Sequence, residues 1–590
     1  MGIRIQDNCT SMGQRIAKHH MQSGHHMQSG VKLYHQRRHQ QAIARWRAAL
    51  RRLTNAEDRF ITIGYMVQAY CDASNYQQML RYALQQMELA NVQQDEFMKS
   101  EAFLNLAKAY ERLADFGKAI GYGRASLQHP NIDPRTLGHA HLVVALSQLG
   151  FSQFQASLEA FEKAMCVANQ YSDRLLELQV CVGLGVLFTL LRDFSKAILF
   201  LRNALAILDG VTVDDVHAKY RSVVLYHLSV VLRRKGSLVD ARATCDEAMK
   251  LAQETNNRSV YARCLCSMAN ICRDLGESEA KETLTKSWSR YEEAYRMMRQ
   301  TNDRMGEVLV LDSMAKSASE CRTFYTGKCE CQAIQLNKKC LEVAKAIGCR
   351  HAMMKCHLRL QDLYNQLNDE DSEELARKAV TSLTQEMELF CNFCGQRYGL
   401  YDDSLQALRC SHIFHERCLQ AYLAECLNPN CPKCQCKAVL MDSVSVSTLS
   451  VSSFVATSRL SQPIPSSGKF VWHLCGYQDI PFRSTTEEID TVKSSVIEGQ
   501  TSSERHPKVS LSHPTFRELK TVQNNIDSPH ICTTAVVPAV GSLSMNTLPK
   551  LPVCKMDGTL LVSSVLNYSE EELRTGGPLV LPRGLTITDV

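Results

Sequence analysis

Proline is almost absent from the first two-thirds of this 590-residue chain. Only Pro130 and Pro134 precede residue 390, whereas eleven of the fifteen prolines follow residue 440. Proline interrupts helix interiors and central strands, so so long a stretch with two prolines argues against a turn-rich β-fold and suits a helical array. Acids are scarce at the start. Residues 1–53 hold ten Lys/Arg, including Arg37, Arg38, Arg51 and Arg52, against the single acid Asp7. Long apolar runs are missing too: the longest, "VCVGLGVLFTLL" (180–191), falls short of a bilayer span. No secretory leader is evident, and the expectation is a protein not integral to a membrane. No nucleophile triad, phosphate loop or nucleotide fingerprint stands out. The basic start lacks the aromatic-interleaved pattern of a nucleic-acid binder, so no nucleic-acid partner is expected. It fits peripheral contact with an anionic membrane face, at about 1 kcal/mol per basic residue near the surface.

Cysteine, by contrast, is plentiful at 25 residues. Seventeen are scattered, thirteen of them between Cys71 and Cys356 in helical patterns, where cysteine acts as a small apolar residue, and that usage suits the reducing cytoplasm. The other eight lie between Cys391 and Cys436. There "CNFC" (391–394), "CSHIFHERC" (410–418) and "CPKC" (431–434) give C-x2-C-x15-C-x-H-x2-H-x2-C-x12-C-x2-C. Zn²⁺ takes four thiolate or imidazole ligands in a tetrahedron, and C-x2-C pairs grip one ion from a tight turn. Eight ligands make two closed sites, hence two Zn²⁺, with no position left open for catalysis. A domain this small needs metal for much of its folding free energy.

The spacing resembles the two-histidine RING domain, whose ligands interleave. That resemblance implies Cys391, Cys394, His415 and Cys418 on the first zinc and Cys410, His412, Cys431 and Cys434 on the second. It also implies a docking surface for a ubiquitin-conjugating enzyme at Phe393, Tyr422 and Pro432. Gln435 departs from the family, whose ligases often carry arginine just after the eighth ligand. A neutral amide cannot supply that charged fork. Ligase activity and a purely structural or partner-binding module both remain open, and Cys426 and Cys436 are surplus thiols.

Through the first 340 residues a small-x3-large-x2-small signature recurs. It reads Ala42…Trp46…Ala49, Ser157…Phe161…Ala164, Ala197…Leu201…Ala204, Ala241…Cys245…Ala248 and Ser287…Tyr291…Ala294. Anchors at 42, 79, 119, 157, 197, 241, 287 and 333 are spaced by 37 to 46 residues, with 79 and 333 degenerate. Small residues let antiparallel helices approach and large ones fill the space between, a pattern resembling tetratricopeptide repeats stacked into a superhelix. About seven repeats are expected. Their concave groove suits a peptide or helix.

The fold class expected is therefore all-α: a tetratricopeptide superhelix, a small two-zinc cross-brace and a disordered tail. A basic segment covers 1–29 and the array 30–332. Residues 333–389 hold the last helices; Cys340, Ala344, Ile347, His351, Met354 and Leu358 make either a coiled-coil seam or an ordinary repeat with a turn at Gly348. The zinc module covers 390–437, and the tail 438–590 is serine- and proline-containing with no sustained period. Its terminal Thr588-Asp589-Val590 fits a PDZ-type ligand.

This order, with the tract "LQALRCSHIFHERCLQ" (405–420), resembles the rapsyn family over roughly residues 12–437. The resemblance implies a cytoplasmic scaffold that clusters nicotinic acetylcholine receptors under the postsynaptic membrane and links them to the cytoskeleton. It further implies self-association through the repeats, receptor contact through the coiled-coil region, and dystroglycan binding and ligase activity at the RING. The family's myristoyl anchor points to Gly2, although Gln6 stands where Ser or Thr is favoured. Met12-Gly13 offers an alternative start with Gly13 as acceptor. The competing reading is a cytosolic ubiquitin ligase whose repeat groove selects substrates.

Overall fold

The computed structural model describes residues 25–129, 133–211, 214–276, 281–320, 328–399, 404–426 and 428–441. Gly2, Gly13, the tail beyond 441 and the terminal Thr588-Asp589-Val590 lie outside the described residues. Among those described, eighteen helices precede the first strand and pair successively into nine hairpins. They are α1 (His25–His35) with α2 (His39–Leu50), α3 (Ala56–Asp72) with α4 (Tyr76–Gln93), and α5 (Glu96–Arg112) with α6 (Phe116–Leu127). Then come α7 (Pro134–Gly150) with α8 (Phe154–Tyr171), α9 (Arg174–Leu191) with α10 (Phe194–Asp209), and α11 (Asp214–Lys235) with α12 (Leu238–Glu254). The last are α13 (Arg258–Asp274) with α14 (Lys281–Thr301), α15 (Arg304–Glu320) with α16 (Lys328–Ile347), and α17 (Arg350–Gln366) with α18 (Glu370–Glu386).

Nine pairs exceed the seven repeats counted from spacing, because degenerate anchors still do the anchor's work. Met79 and Ala333 are as buried as Ala42, Ala119, Ala197 and Ala241. Ala376 and Leu383 on α18 are a ninth buried copy. Between the paired helices lie the large partners Trp46, Phe161, Leu201 and Tyr291, all fully buried. The stretch from 340 to 358 is two helices separated at Gly348, whose φ of +72° reverses the chain.

One turn recurs between paired helices. A residue in the left-handed region precedes the next N-cap, as in Ser74-Asn75, Ala114-Asp115, Arg192-Asp193 and Asn368-Asp369. The N-cap amide reaches back five residues, Asn75 to the Tyr70 carbonyl and Asp369 to that of Tyr364, which closes the preceding helix. Its side chain then accepts from the new helix's first turn, as Asp115 does from the Lys118 amide.

Helix α9 is long and apolar enough to cross a membrane by length and composition, which the shorter run read from sequence was not. Twelve of its 18 residues are buried between neighbouring helices, so here it is the core of the array. The superhelix also touches itself about five pairs along. Asp72 pairs with Lys219, the Ser259 amide donates to Ser74 Oγ at 3.2 Å, and the His351 amide donates to Ser152 Oγ at 2.9 Å.

Candidate metal centre and its seat on the array

After α18 the chain forms two matching knuckles joined through a hairpin. In the first, the Gly395 amide donates to the Cys391 carbonyl at 2.8 Å and the Cys391 amide to the Gln396 carbonyl at 2.9 Å. In the second, the Gln435 amide donates to the Cys431 carbonyl at 2.8 Å and the Cys431 amide to the Cys436 carbonyl at 2.7 Å. Both turns need a left-handed residue after the second cysteine. Gly395 (φ +67°) takes it without strain, whereas Gln435 (φ +59°) carries a side chain there.

Strand β1 (Leu405–Ala407) pairs antiparallel with β2 (Ile413–His415), with Leu405 opposite His415. The turn between them presents Cys410 and His412, and the end of β2 presents His415. Helix α19 (Glu416–Glu425) follows at once and carries Cys418 in its first turn.

The eight ligand candidates gather into two groups. Cys391, Cys394, His415 and Cys418 have their ligand atoms within 4.8 Å of one another, and so do Cys410, His412, Cys431 and Cys434. The Nδ1 atoms face the sulfurs: His415 Nδ1 lies 3.3 Å from Cys394 Sγ, and His412 Nδ1 lies 3.4 and 3.5 Å from the sulfurs of Cys410 and Cys431. A tetrahedral zinc with bonds of about 2.3 Å to sulfur and about 2.0 Å to nitrogen holds such ligands about 3.5 Å apart. The donors thus fit zinc in chemistry and spacing, and sites so closed would serve structure rather than hydrolysis. No cysteine among the described residues is in a disulfide. The Tyr398 ring packs edge-on against His415 at 5.5 Å, and its hydroxyl donates to the Ile413 carbonyl at 2.6 Å.

Two of the three docking candidates are in direct contact. The rings of Phe393 and Tyr422 stand 5.0 Å apart, and Phe393 packs also on the buried Phe414. The Tyr422 hydroxyl donates to the Asn430 carbonyl at 2.8 Å, which ties α19 to the loop entering the second knuckle. Pro432 and Gln435 are exposed on that knuckle, and the Gln435 amide nitrogen donates to the Pro432 carbonyl at 3.4 Å. Sequence spacing alone did not reveal this bridging role of Tyr422.

Beneath the module lies a polar latch that the sequence also hid. Asp193, the N-cap of α10, accepts from the Lys196 amide at 2.9 Å through one oxygen. Through the other it accepts from the Leu405 amide at 2.8 Å and the Ser404 hydroxyl at 3.3 Å. Lys196 Nζ donates to the Leu405 carbonyl. The two residues are only 4% and 3% exposed. Burial pushes the Asp193 carboxyl up and the Lys196 ammonium down, while their mutual attraction opposes both shifts. Around the latch, Leu405, Phe414, Leu419 and Met441 share one apolar core with α7–α11 and with Met354 and Leu383. The zinc module is built onto the array.

The molecule is thus a tetratricopeptide-type helical array carrying a RING-type cysteine–histidine cross-brace. A family model described as the rapsyn N-terminal myristoylation and linker region matches residues 12–96. The "43 kDa receptor-associated protein of the synapse" of Tetronarce californica is 31% identical over 416 residues, 70% of this chain and 96% of that protein. Its Gallus gallus counterpart is 30% identical over 412 residues, 69% of this chain and 95% of that protein. The chain belongs to the family of the 43 kDa receptor-associated protein of the synapse, rapsyn.

Proposed function

We propose that this chain is a cytoplasmic postsynaptic scaffold that binds and clusters nicotinic acetylcholine receptors and ties them to the cytoskeleton. What supports it is kinship over 96% of a relative's length and 70% of this chain. In this reading the helical array self-associates and the α16–α18 region meets the receptor. The cross-brace, holding two Zn²⁺, contacts dystroglycan. An acyl group at the N-terminus holds the assembly to the inner face of the plasma membrane. The family match starts at residue 12, which favours Gly13 over Gly2 as the acceptor. One chain binds a bilayer weakly, and the basic residues that follow supply the second attraction.

The test is co-expression with a nicotinic receptor in non-muscle cells, comparing the intact chain with the Gly2→Ala, Gly13→Ala double variant. Patches of surface receptor with the first and diffuse receptor with the second are expected. Diffuse receptor with both, at equal expression, would refute the scaffold. A second reading, RING-type ubiquitin ligase, is favoured by the contact between Phe393 and Tyr422. It requires discharge of a charged ubiquitin-conjugating enzyme that is lost in Phe393→Ala.

A further inference from the structure

Where α9, α11, α13, α15 and α17 converge under the first knuckle, they leave a cavity of about 580 Å³ whose wall carries nine arginine or lysine side chains. Four carboxylates pair with six of these. Asp274 takes Arg233 and Arg273, Asp303 takes Arg263, Asp312 takes Lys355 and Arg359, and Glu320 takes Lys316 as well as Arg273. The other three, Arg192, Arg234 and Arg397, have no carboxylate partner among the described residues.

These three come from separate parts of the fold. Arg192 ends α9 in the left-handed region, at φ +70°. Arg234 lies in the last turn of α11 and Arg397 in the zinc module's first knuckle. Arg397 Nη2 reaches only the thioether of Met354, at 3.0 Å. Gly399, at φ +69°, lies so close to Arg192 that a Cβ there would meet the Arg192 side chain at 2.3 Å. Arg234 and Arg397 are partly buried, while Arg192 is exposed. Partly dehydrated guanidinium groups that no carboxylate pairs directly are unfavourable unless an anion joins them. Burial depresses Arg234, with Arg233 and Arg192 adding to the effect and Asp312 opposing it, and burial then Arg192 depress Arg397.

We propose that this cavity is a binding site for a compact polyphosphate anion, an inositol polyphosphate in chemical class, gripped by Arg192, Arg234 and Arg397. Planar guanidinium forks match phosphate oxygens two at a time. The volume lies in the range of small-ligand pockets and suits a compact anion better than an extended acidic peptide. Because Arg397 belongs to the cross-brace and Arg234 to the array, such an anion would fasten one to the other. The proposal is independent of receptor clustering.

The test uses the full-length, zinc-loaded chain with inositol hexakisphosphate as the probe and sodium sulfate at equal ionic strength as the control. A saturable rise in Tm beyond the sulfate control is expected. Each of Arg192→Gln, Arg234→Gln and Arg397→Gln should raise the apparent Kd about 10- to 100-fold, the value of one charge-assisted contact. Without the probe these variants should melt no lower than wild type, since each removes an unpaired charge. Arg234→Lys keeps the charge but loses the fork, and should fall between. Should the soluble probe fail but vesicles containing phosphatidylinositol bisphosphate bind in an Arg234-dependent way, the same chemistry is supplied by a headgroup. No response to either, a response undiminished in the triple Gln variant, or variants that melt lower without probe would each overturn the site.

Discussion

Replacing Asp193 with alanine should loosen the zinc module from the array without unfolding either at once. The carboxylate has two duties. As N-cap of α10 it accepts from the Lys196 amide, and losing a cap costs about 0.5–2 kcal/mol. As the latch it accepts from the Leu405 amide, and a charge-assisted bond of this kind contributes about 1.5–3 kcal/mol. Lys196 would also keep its ammonium in a site 3% exposed, with the Leu405 carbonyl, the Phe188 ring at 5.6 Å and the field of Glu416 left to stabilise it. The cap and latch terms together reach about 2–5 kcal/mol, which overlaps the usual penalty of about 3–5 kcal/mol for breaking a buried pair.

The cap term spreads over the array, whereas the latch term is local to β1. Hydrogen exchange separates them. The Leu405 amide should exchange about 10- to 100-fold faster in Asp193→Ala, the equivalent of that latch term. Amides in α3–α6, far from the latch, should move much less. Asp193→Asn keeps an oxygen for only one of the two amides: with that oxygen on the Lys196 amide the cap survives, its NH2 faces the Leu405 amide, and Leu405 exchange should still speed up. Unchanged Leu405 exchange in Asp193→Ala would refute the latch and leave the apolar seam as the whole attachment.

Other perturbations test the remaining parts. Gly185→Ala should destabilise the array by about 1–3 kcal/mol through overpacking, because a Cβ there would meet Leu201 Cγ at 2.8 Å; chemical denaturation measures it. Ser411 holds φ +63° between two ligand candidates, with a buried hydroxyl that has no hydrogen-bond partner. Ser411→Gly should therefore slow zinc release to a chelator. Burial alone would raise the Asp312 carboxyl, but Lys355 and Arg359 outweigh it and hold the group well below the usual carboxylate range. A lowered native pKa stabilises the fold above about pH 4, the ordinary carboxylate value, and that stabilisation is lost as pH falls toward the native value. Asp312→Asn should cost about 3–5 kcal/mol at neutral pH and flatten the acid limb of the stability profile. Gln435→Arg should increase discharge of a charged conjugating enzyme if the module is a ligase; an unchanged rate would count against that reading.

What was legible in the sequence was whatever depends on short spacing. The eight ligand candidates sit in pairs within a few residues, so cysteine and histidine counting yields two sites, while their division between the two comes from the resemblance to the RING domain. The small-large-small signature likewise located α2, α8, α10, α12 and α14, because packing of adjacent helices repeats at fixed intervals. It undercounted at Met79, Ala333 and Ala376 because one interface tolerates different side chains so long as the paired volumes compensate. Met79…Ala83…Gln86 simply puts the large residue where Trp46, Phe161 and Leu201 do not, and all three of its members are buried. The latch could be read only by halves. Asp193 before a helix announces an N-cap, yet nothing near it in sequence says that its second oxygen serves Leu405, 212 residues away. The cationic cavity was hidden for the same reason. Arg192, Arg234 and Arg397 look like ordinary surface charges in their own segments, and only the superhelical closure turns them toward one space. In a repeat fold, local contacts build the scaffold, and long-range coincidences of charge are where its individual chemistry is written.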